Sequence, residues 1–248
     1  MQYSIVGDVM QAVKLHFAPG DRAQAEPGAM LYMKGDVDMD VSMAGGLLSG
    51  LARKFLMGEK LFMATFESKG RGGEVGLAAP YPGKVQAVNL NNSAIIAQKR
   101  SFLGAYGDVT LSVAFTKRLG AGFFGGEGFI LEQIAGTGIA FIHAGGNFVE
   151  FDLNPGEQLR VDTGCLVAMD PTIDYDIQFI GGFTRSLFGG EGLFYALLTG
   201  PGHVILQTLP FSRMAEEVLS AAHGQIDQEK GIAGFGGSIL GNIISGDR

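Results

Sequence analysis

Three stretches of this chain resemble one another, and that recurrence limits what it can fold into more than any other feature. Residues Leu119–Gly146 read LGAGFFGGEGFILEQIAGTGIAFIHAGG and Ser186–Pro210 read SLFGGEGLFYALLTGPGHVILQTLP. Both contain Phe-Gly-Gly-Glu-Gly, with Glu127 and Glu191 sixty-four residues apart, and each glutamate is followed nine residues on by Gly-x-Gly, at Gly136/Gly138 and Gly200/Gly202. A looser copy spans Lys54–Pro80, where Glu59 precedes Glu127 by sixty-eight residues and a glycine cluster follows at Gly70, Gly72 and Gly73. A fixed period of this size is the signature of one supersecondary unit used several times.

Each copy also holds a period-two run before its glutamate. Asp36, Asp38 and Asp40 alternate with Val37, Met39 and Val41; Asp108, Thr110 and Ser112 with Val109, Leu111 and Val113; Asp174, Asp176 and Gln178 with Tyr175, Ile177 and Phe179. Alternation of this kind predicts strands with one face in a core and the other toward water. After the glutamate come two apolar runs split by glycines, such as Phe129–Ala135 and Ile139–Ala144, which read as a hairpin. Pro19-Gly20-Asp21, Pro82-Gly83-Lys84 and Pro155-Gly156-Glu157 are turn signals that would open each unit. The expected fold is all-β, with three repeated β-modules about a pseudo-threefold, of short double-stranded β-helix or sandwich type. The modules are 1–81, 82–154 and 155–210. Residues 211–248 then supply a C-terminal helix at Ser212–Ala222 and a Gly-rich apolar tail.

Composition narrows the function classes. With 40 glycines in 248 residues, 46% apolar and only 17% charged residues, the chain can bury enough surface to fold, and tight turns account for the glycine. Eighteen Lys+Arg against 25 Asp+Glu gives −7, which argues against nucleic acid as a partner. Cys165 has no second cysteine to pair with, the start lacks the basic and apolar regions of a secretory signal, and no stretch is long and apolar enough for a transmembrane segment. A cytoplasmic location is expected.

The repeated Phe-Gly-Gly-Glu-Gly, the Gly-x-Gly and the Pro-Gly-Glu together resemble the altered-inheritance-of-mitochondria family, member twenty-four, over about residues 1 to 210. The resemblance implies a fold related to the tryptophan RNA-binding attenuation protein. It also implies a non-catalytic role, because the family brings no catalytic residues, and a mitochondrial relative keeps inner-membrane organising complexes intact.

The candidate chemistry is sparse. Glu59, Glu127 and Glu191 would bind a cation or shift their pKa values if a threefold gathered them. Equally, a glutamate in Gly-Gly-Glu-Gly accepts amide hydrogen bonds in a tight turn, and repetition favours this structural reading. Gly120–Gly125 spells G-x-G-x-x-G inside a β repeat, where the dinucleotide site's helix is missing, so no cofactor is called for. Asp36-x-Asp38-x-Asp40 lacks the Gly and Glu of a calcium loop, and the histidines His16, His143, His203 and His223 show no ligand spacing, so no metal is assigned. Cys165 reads as a small buried hydrophobe. The expected protein is a non-catalytic β scaffold or interaction protein. It forms a homo-oligomer, docks a partner through its tail and, as the resemblance implies, supports a membrane-associated complex. The alternative is a small-ligand binder or enzyme with a pocket between modules.

Overall fold

A computed structural model describes residues 2–43, 62–117, 129–180 and 193–221. Residues 1–210 form one compact unit and 211–248 a second. In the first, the strands are β1 (Gln2–Val6), β2 (Ala12–Phe17), β3 (Arg22–Ala25), β4 (Met30–Met43), β5 (Phe62–Ala78), β6 (Gly83–Gln98), β7 (Phe102–Lys117), β8 (Phe129–Gly145), β9 (Phe148–Leu153), β10 (Gln158–Asp162), β11 (Leu166–Met169), β12 (Asp174–Ile180), β13 (Leu193–Thr199) and β14 (Gly202–Gln207). One eleven-stranded sheet runs β1-β2-β5-β3-β7-β8-β6-β11-β14-β9, with β4 attached to β5; a three-stranded sheet runs β10-β13-β12. All strand pairs are antiparallel. The module boundaries are crossed by hydrogen-bonded ladders, β3 on β7 and β6 on β11. The second unit contains a helix over 211–221, which starts one residue before Ser212, so Ser212 lies within it and does not cap it.

The recurrence takes the form of three antiparallel pairs, β4–β5, β7–β8 and β12–β13. In each pair the first strand is the alternating run, and the segment joining the two strands carries one of the repeat glutamates. Beyond the glutamate of the second copy there is no hairpin of the expected kind. Phe129–Gly145 is a single strand, and its middle glycines bend it. At one end of β8, Leu131 faces Gln98 at the finish of β6; at the other, Ile142 faces Phe102 at the start of β7. Gln98 and Phe102 are four residues apart and span at most about 15 Å. Eleven residues of straight strand would cover about 36 Å. The strand therefore folds over between those points, and Gly136-Thr137-Gly138 stands midway. Both halves of β8 are buried almost throughout, while Thr137 at the bend is exposed. In the third copy the glycines divide β13 from β14, which belong to different sheets.

The Pro-Gly signals also differ from expectation. Residues 19–21 and 155–157 join two short strands (β2 to β3, β9 to β10), whereas Pro82-Gly83 leads straight into β6. An acid closes each true turn: the Asp21 carboxylate accepts from the Ala18 N–H at 2.8 Å, and that of Glu157 from the Asn154 N–H at 2.9 Å. The neighbouring bonds match too. Gly20 N–H donates to the Ser68 carbonyl and Ser68 N–H to that of Asp21, while Gly156 N–H donates to Gly200 and Gly200 N–H to Glu157. Tyr106, 1% exposed, anchors the first turn by donating its hydroxyl to Asp21, beside the His16 carbonyl at 2.9 Å. Burial and that hydrogen bond raise its pKa, so it remains a donor across the ordinary pH range. Tyr106→Phe should cost about 2 kcal/mol in urea unfolding at unchanged m-value, the usual scale for a hydrogen bond to a charged acceptor.

Three apolar clusters fill the unit, centred on Phe66, Tyr106 and Phe141, on Phe129, Leu131 and Leu198, and on Ile134, Ile142 and Val167. In β7 and β12 the alternation behaves as expected, with Val109 and Ile177 buried and Asp108, Asp174 and Asp176 exposed. In β4 it does not. Met39 is 42% and Val41 53% exposed, because β4 hangs beyond β5 at the margin of the sheet, past the core its apolar side faces.

Candidate functional site

The residues singled out for chemistry are scattered. Glu59, Glu127 and Glu191 lie outside the described residues, as do the Gly120–Gly125 motif and His223. Asp36, Asp38 and Asp40 occupy the exposed face of β4; the Asp36 carboxylate accepts the Arg71 N–H at 3.0 Å, and Asp38 pairs with Lys69 at 3.2 Å. Cys165, read as buried, is half-buried at the end of the 3-10 turn Thr163–Cys165, with one flank against the second cluster. His16 lies on β2 opposite Glu74 of β5, 3.2 Å from its carboxylate, and Tyr32 of β4 donates its hydroxyl to the same carboxylate. That hydrogen bond is the main reason the Tyr32 pKa rises to about 12 and Glu74 stays below the usual carboxylate range. Among the described residues no three His, Cys, Asp or Glu side chains are grouped to hold a metal ion.

The most organised polar constellation surrounds His203 at the start of β14. Cross-strand register places His203 opposite Asp152 and Ile205 opposite Glu150 on β9. Its Nδ1 lies 2.7 Å from Asp152 Oδ1 and its Nε2 2.8 Å from Glu150 Oε2. The main chain is held as well, because His203 N–H donates to the Asp170 carboxylate at 2.8 Å and Asp170 N–H to the His203 carbonyl at 2.9 Å. Partial burial opposes the imidazolium, but hydrogen bonds to Asp152 and Glu150 and their charges outweigh it and raise the His203 pKa. Beside this cluster a cleft of about 260 Å³ is lined by Gln86, Val88, Asn89, Ile95, Met169 and Ile205, with His203 and Asp170 at its polar side. Gln86 Nε2 reaches Glu150 Oε1 at 3.4 Å, and Gln86 Oε1 is buried with no hydrogen-bond partner. The arrangement offers acceptors and negative charge beside an apolar wall; it presents no nucleophile placed against a base.

Sequence spacing hid this cluster because its members come from strands more than fifty residues apart in the chain. The one legible sign was Glu150 and Asp152 alternating in FVEFDL. Two further titratable groups are deeply buried on β8. Glu132, 3% exposed, has its carboxyl pushed up to about 7 by burial and by Glu26, against the pull of Lys99. His143, 1% exposed, meets the Tyr81 ring edge-on at 4.7 Å. Burial lowers its pKa to about 4, and the Tyr81 main chain offsets only part of that.

Bent antiparallel strands, acid-closed turns and charged side chains paired between strands define an all-β protein built on large antiparallel sheets. The family model described as Mitochondrial biogenesis AIM24 matches residues 3–209. The chain belongs to that family. It is 25% identical over 210 residues to an uncharacterised protein of Streptococcus pyogenes serotype M6, covering 82% of this chain and 83% of that one. The crystal structure of a Streptococcus pyogenes protein shares the fold, with a TM-score of 0.71 and 22% identity, over 89% of this chain and 99% of that one.

Proposed function

We propose that this protein is a non-catalytic β scaffold that acts in the cytoplasm by contact, associating with copies of itself and presenting surfaces to a protein partner. The observation carrying this reading is the uncovered apolar row on β4 and β5. Met33, Met39 and Val41 stand directly opposite Val75, Phe66 and Ala64. Residues paired across an antiparallel ladder point to the same side of the sheet. Val75, Phe66 and Ala64 are buried, yet Met33, Met39 and Val41 are 39 to 53% exposed, with Phe62 at 49%. They extend the core's own face beyond its cover, as a surface finished by a second molecule would. On the opposite face of β4, Asp36, Asp38 and Asp40 make edge-to-edge pairing of two β4 strands costly through like-charge repulsion, so the contact is face-on.

Light scattering on the eluting full chain tests this. An oligomer is expected, and Met39→Asp combined with Val41→Asp should convert it to monomer with the β circular-dichroism spectrum intact. A wild-type monomer at about 100 μM would sink self-association at any affinity useful to a stable assembly. Truncation after residue 223 separates the two candidate contacts: an oligomer that survives it leaves β4 as the interface, and one that dissociates makes the apolar tail the contact.

A second reading, small-ligand binding, is favoured by the cleft beside His203 and Asn89, on the far side of β6 from β8. It would be supported by saturable shifts of the Asn89 and Ile95 amides with a small amine.

A further inference from the structure

The bonding around His203 points to a device that does not depend on the scaffold reading. A neutral imidazole has one N–H and one lone pair; only the imidazolium donates from both nitrogens. Here both ring nitrogens lie within 2.8 Å of carboxylate oxygens, Asp152 Oδ1 and Glu150 Oε2, which in their ionised form accept and cannot donate. The geometry is that of the charged ring. Both carboxylates belong to β9, which ends the sheet and pairs, among the described residues, with β14 alone. The imidazolium is therefore a bolt between the last two strands of the sheet.

We propose that His203 is a pH-sensitive latch, in which loss of its proton releases edge strand β9 from β14 while the rest of the sheet stays folded. Once the ring is neutral, one nitrogen faces a carboxylate with lone pair against lone pair, and Glu150 and Asp152 repel each other with no cation between them. The other groups facing the ring do not replace that cation. Asp170 is a further acid, and Gln86 and Asn89 of β6 are uncharged. Because the two carboxylates hold the charged form, the transition is displaced upward from that of an unpaired histidine. Release would bare more of Val149 and Phe151, already 41% and 37% exposed, and would loosen Glu150 from Gln86 at the cleft. A surface of this protein would thus change with the pH of its surroundings.

Amide hydrogen exchange of the full chain, corrected for intrinsic rates and read alongside the His203 ring nitrogen shifts, tests the latch. Between pH 6 and pH 9 the protection of Val149–Leu153 should fall several-fold, the scale of solvent-exposed charge pairs, and β8 amides at Phe141 and Ile142 should not follow. The ring should be doubly protonated at pH 6. His203→Gln should leave β9 weakly protected at both pH values, and His203→Arg, charged throughout, should remove the dependence. Unchanged β9 protection in the wild type, a neutral ring at pH 6, or loss of β8 protection in step with β9 would each overturn the proposal. The wild-type titration decides the matter even if a variant fails to fold.

Discussion

Gly136→Ala is expected to destabilise the protein by about 4 kcal/mol, through disfavoured backbone conformation and crowding together. Gly136 sits at the bend of β8 with φ of +140°, a region side-chain-bearing residues rarely adopt. A Cβ there would stand 2.2 Å from the Asp108 carbonyl oxygen and 3.1 Å from Val109 Cα. Both are main-chain atoms of β7, so the clash cannot be relieved by a rotamer change. β6 and β7 follow β8 along nearly its whole length, one on each edge, so strain at the bend acts on both ladders. Gly20→Ala provides the contrast. Its φ is +83°, but nothing lies within 4 Å of the added methyl, so only the backbone preference is lost, about 1 kcal/mol. Urea unfolding of both variants measures the difference. Equal losses would mean that β8 tolerates a side chain at its bend and that β7 yields to it without cost. A loss of 4 kcal/mol is a large fraction of the 5–15 kcal/mol typical of a domain, so the variant's expression should suffer as well.

The second large effect is a pH dependence that the wild-type protein conceals. Glu132 has a folded-state pKa of about 7 against an ordinary 4.5, so its contribution is fully present below pH 4.5 and is lost as pH rises through 7. His143 has a folded-state pKa of about 4 against 6.5, so its contribution is present above pH 6.5 and is lost as pH falls through 4. Between pH 4.5 and 6.5 the two slopes have opposite sign and similar size, about 1.4 kcal/mol per pH unit, and cancel. Neither charge is among the causes of the other's displacement, so each can be removed separately. Relative to wild type, Glu132→Gln should gain stability steadily from pH 4.5 to 7, by about 3 kcal/mol in all. His143→Phe should lose a similar amount over pH 4 to 6.5, because the wild type recovers its histidine contribution across that window. The slope of each difference profile carries the prediction, and constant offsets from repacking do not enter it. A flat difference for Glu132→Gln would show the carboxyl ionised at its ordinary pKa and solvated in the fold.

The sites differ in how far the sequence disclosed them. Alternation in Asp108–Val113 and Asp174–Gln178 foretold which side chains meet the core, because strand parity is a local property and an apolar cluster covers the apolar side of each run. The same alternation in Asp36–Val41 misled, since parity says which way a side chain points and not whether anything covers it. Glycines at 136–138 announced a change of direction but not its kind. A tight turn and a bend in a continuous strand make the same local demand, and only the pairing of β8 with both β6 and β7 decides between them.

His203, Glu150 and Asp152 were all legible as polar residues in apolar strands; their meeting was not. Fifty-one residues separate His203 from Asp152, and they meet through the register of β9 on β14, which hydrogen bonding along the whole ladder sets. Glu132 and His143 gave no sign either, because each sits in a strand buried on both faces, where parity no longer separates core from solvent. From its own residues, then, the chain determined its β character, the places where glycines turn its direction and its Pro-Gly turns, all of which depend on backbone preferences a few residues long. Which acids meet a histidine, which carboxyl is starved of water and which apolar row lies bare were decided by tertiary structure alone, since solvation and charge pairing depend on neighbours far away along the chain.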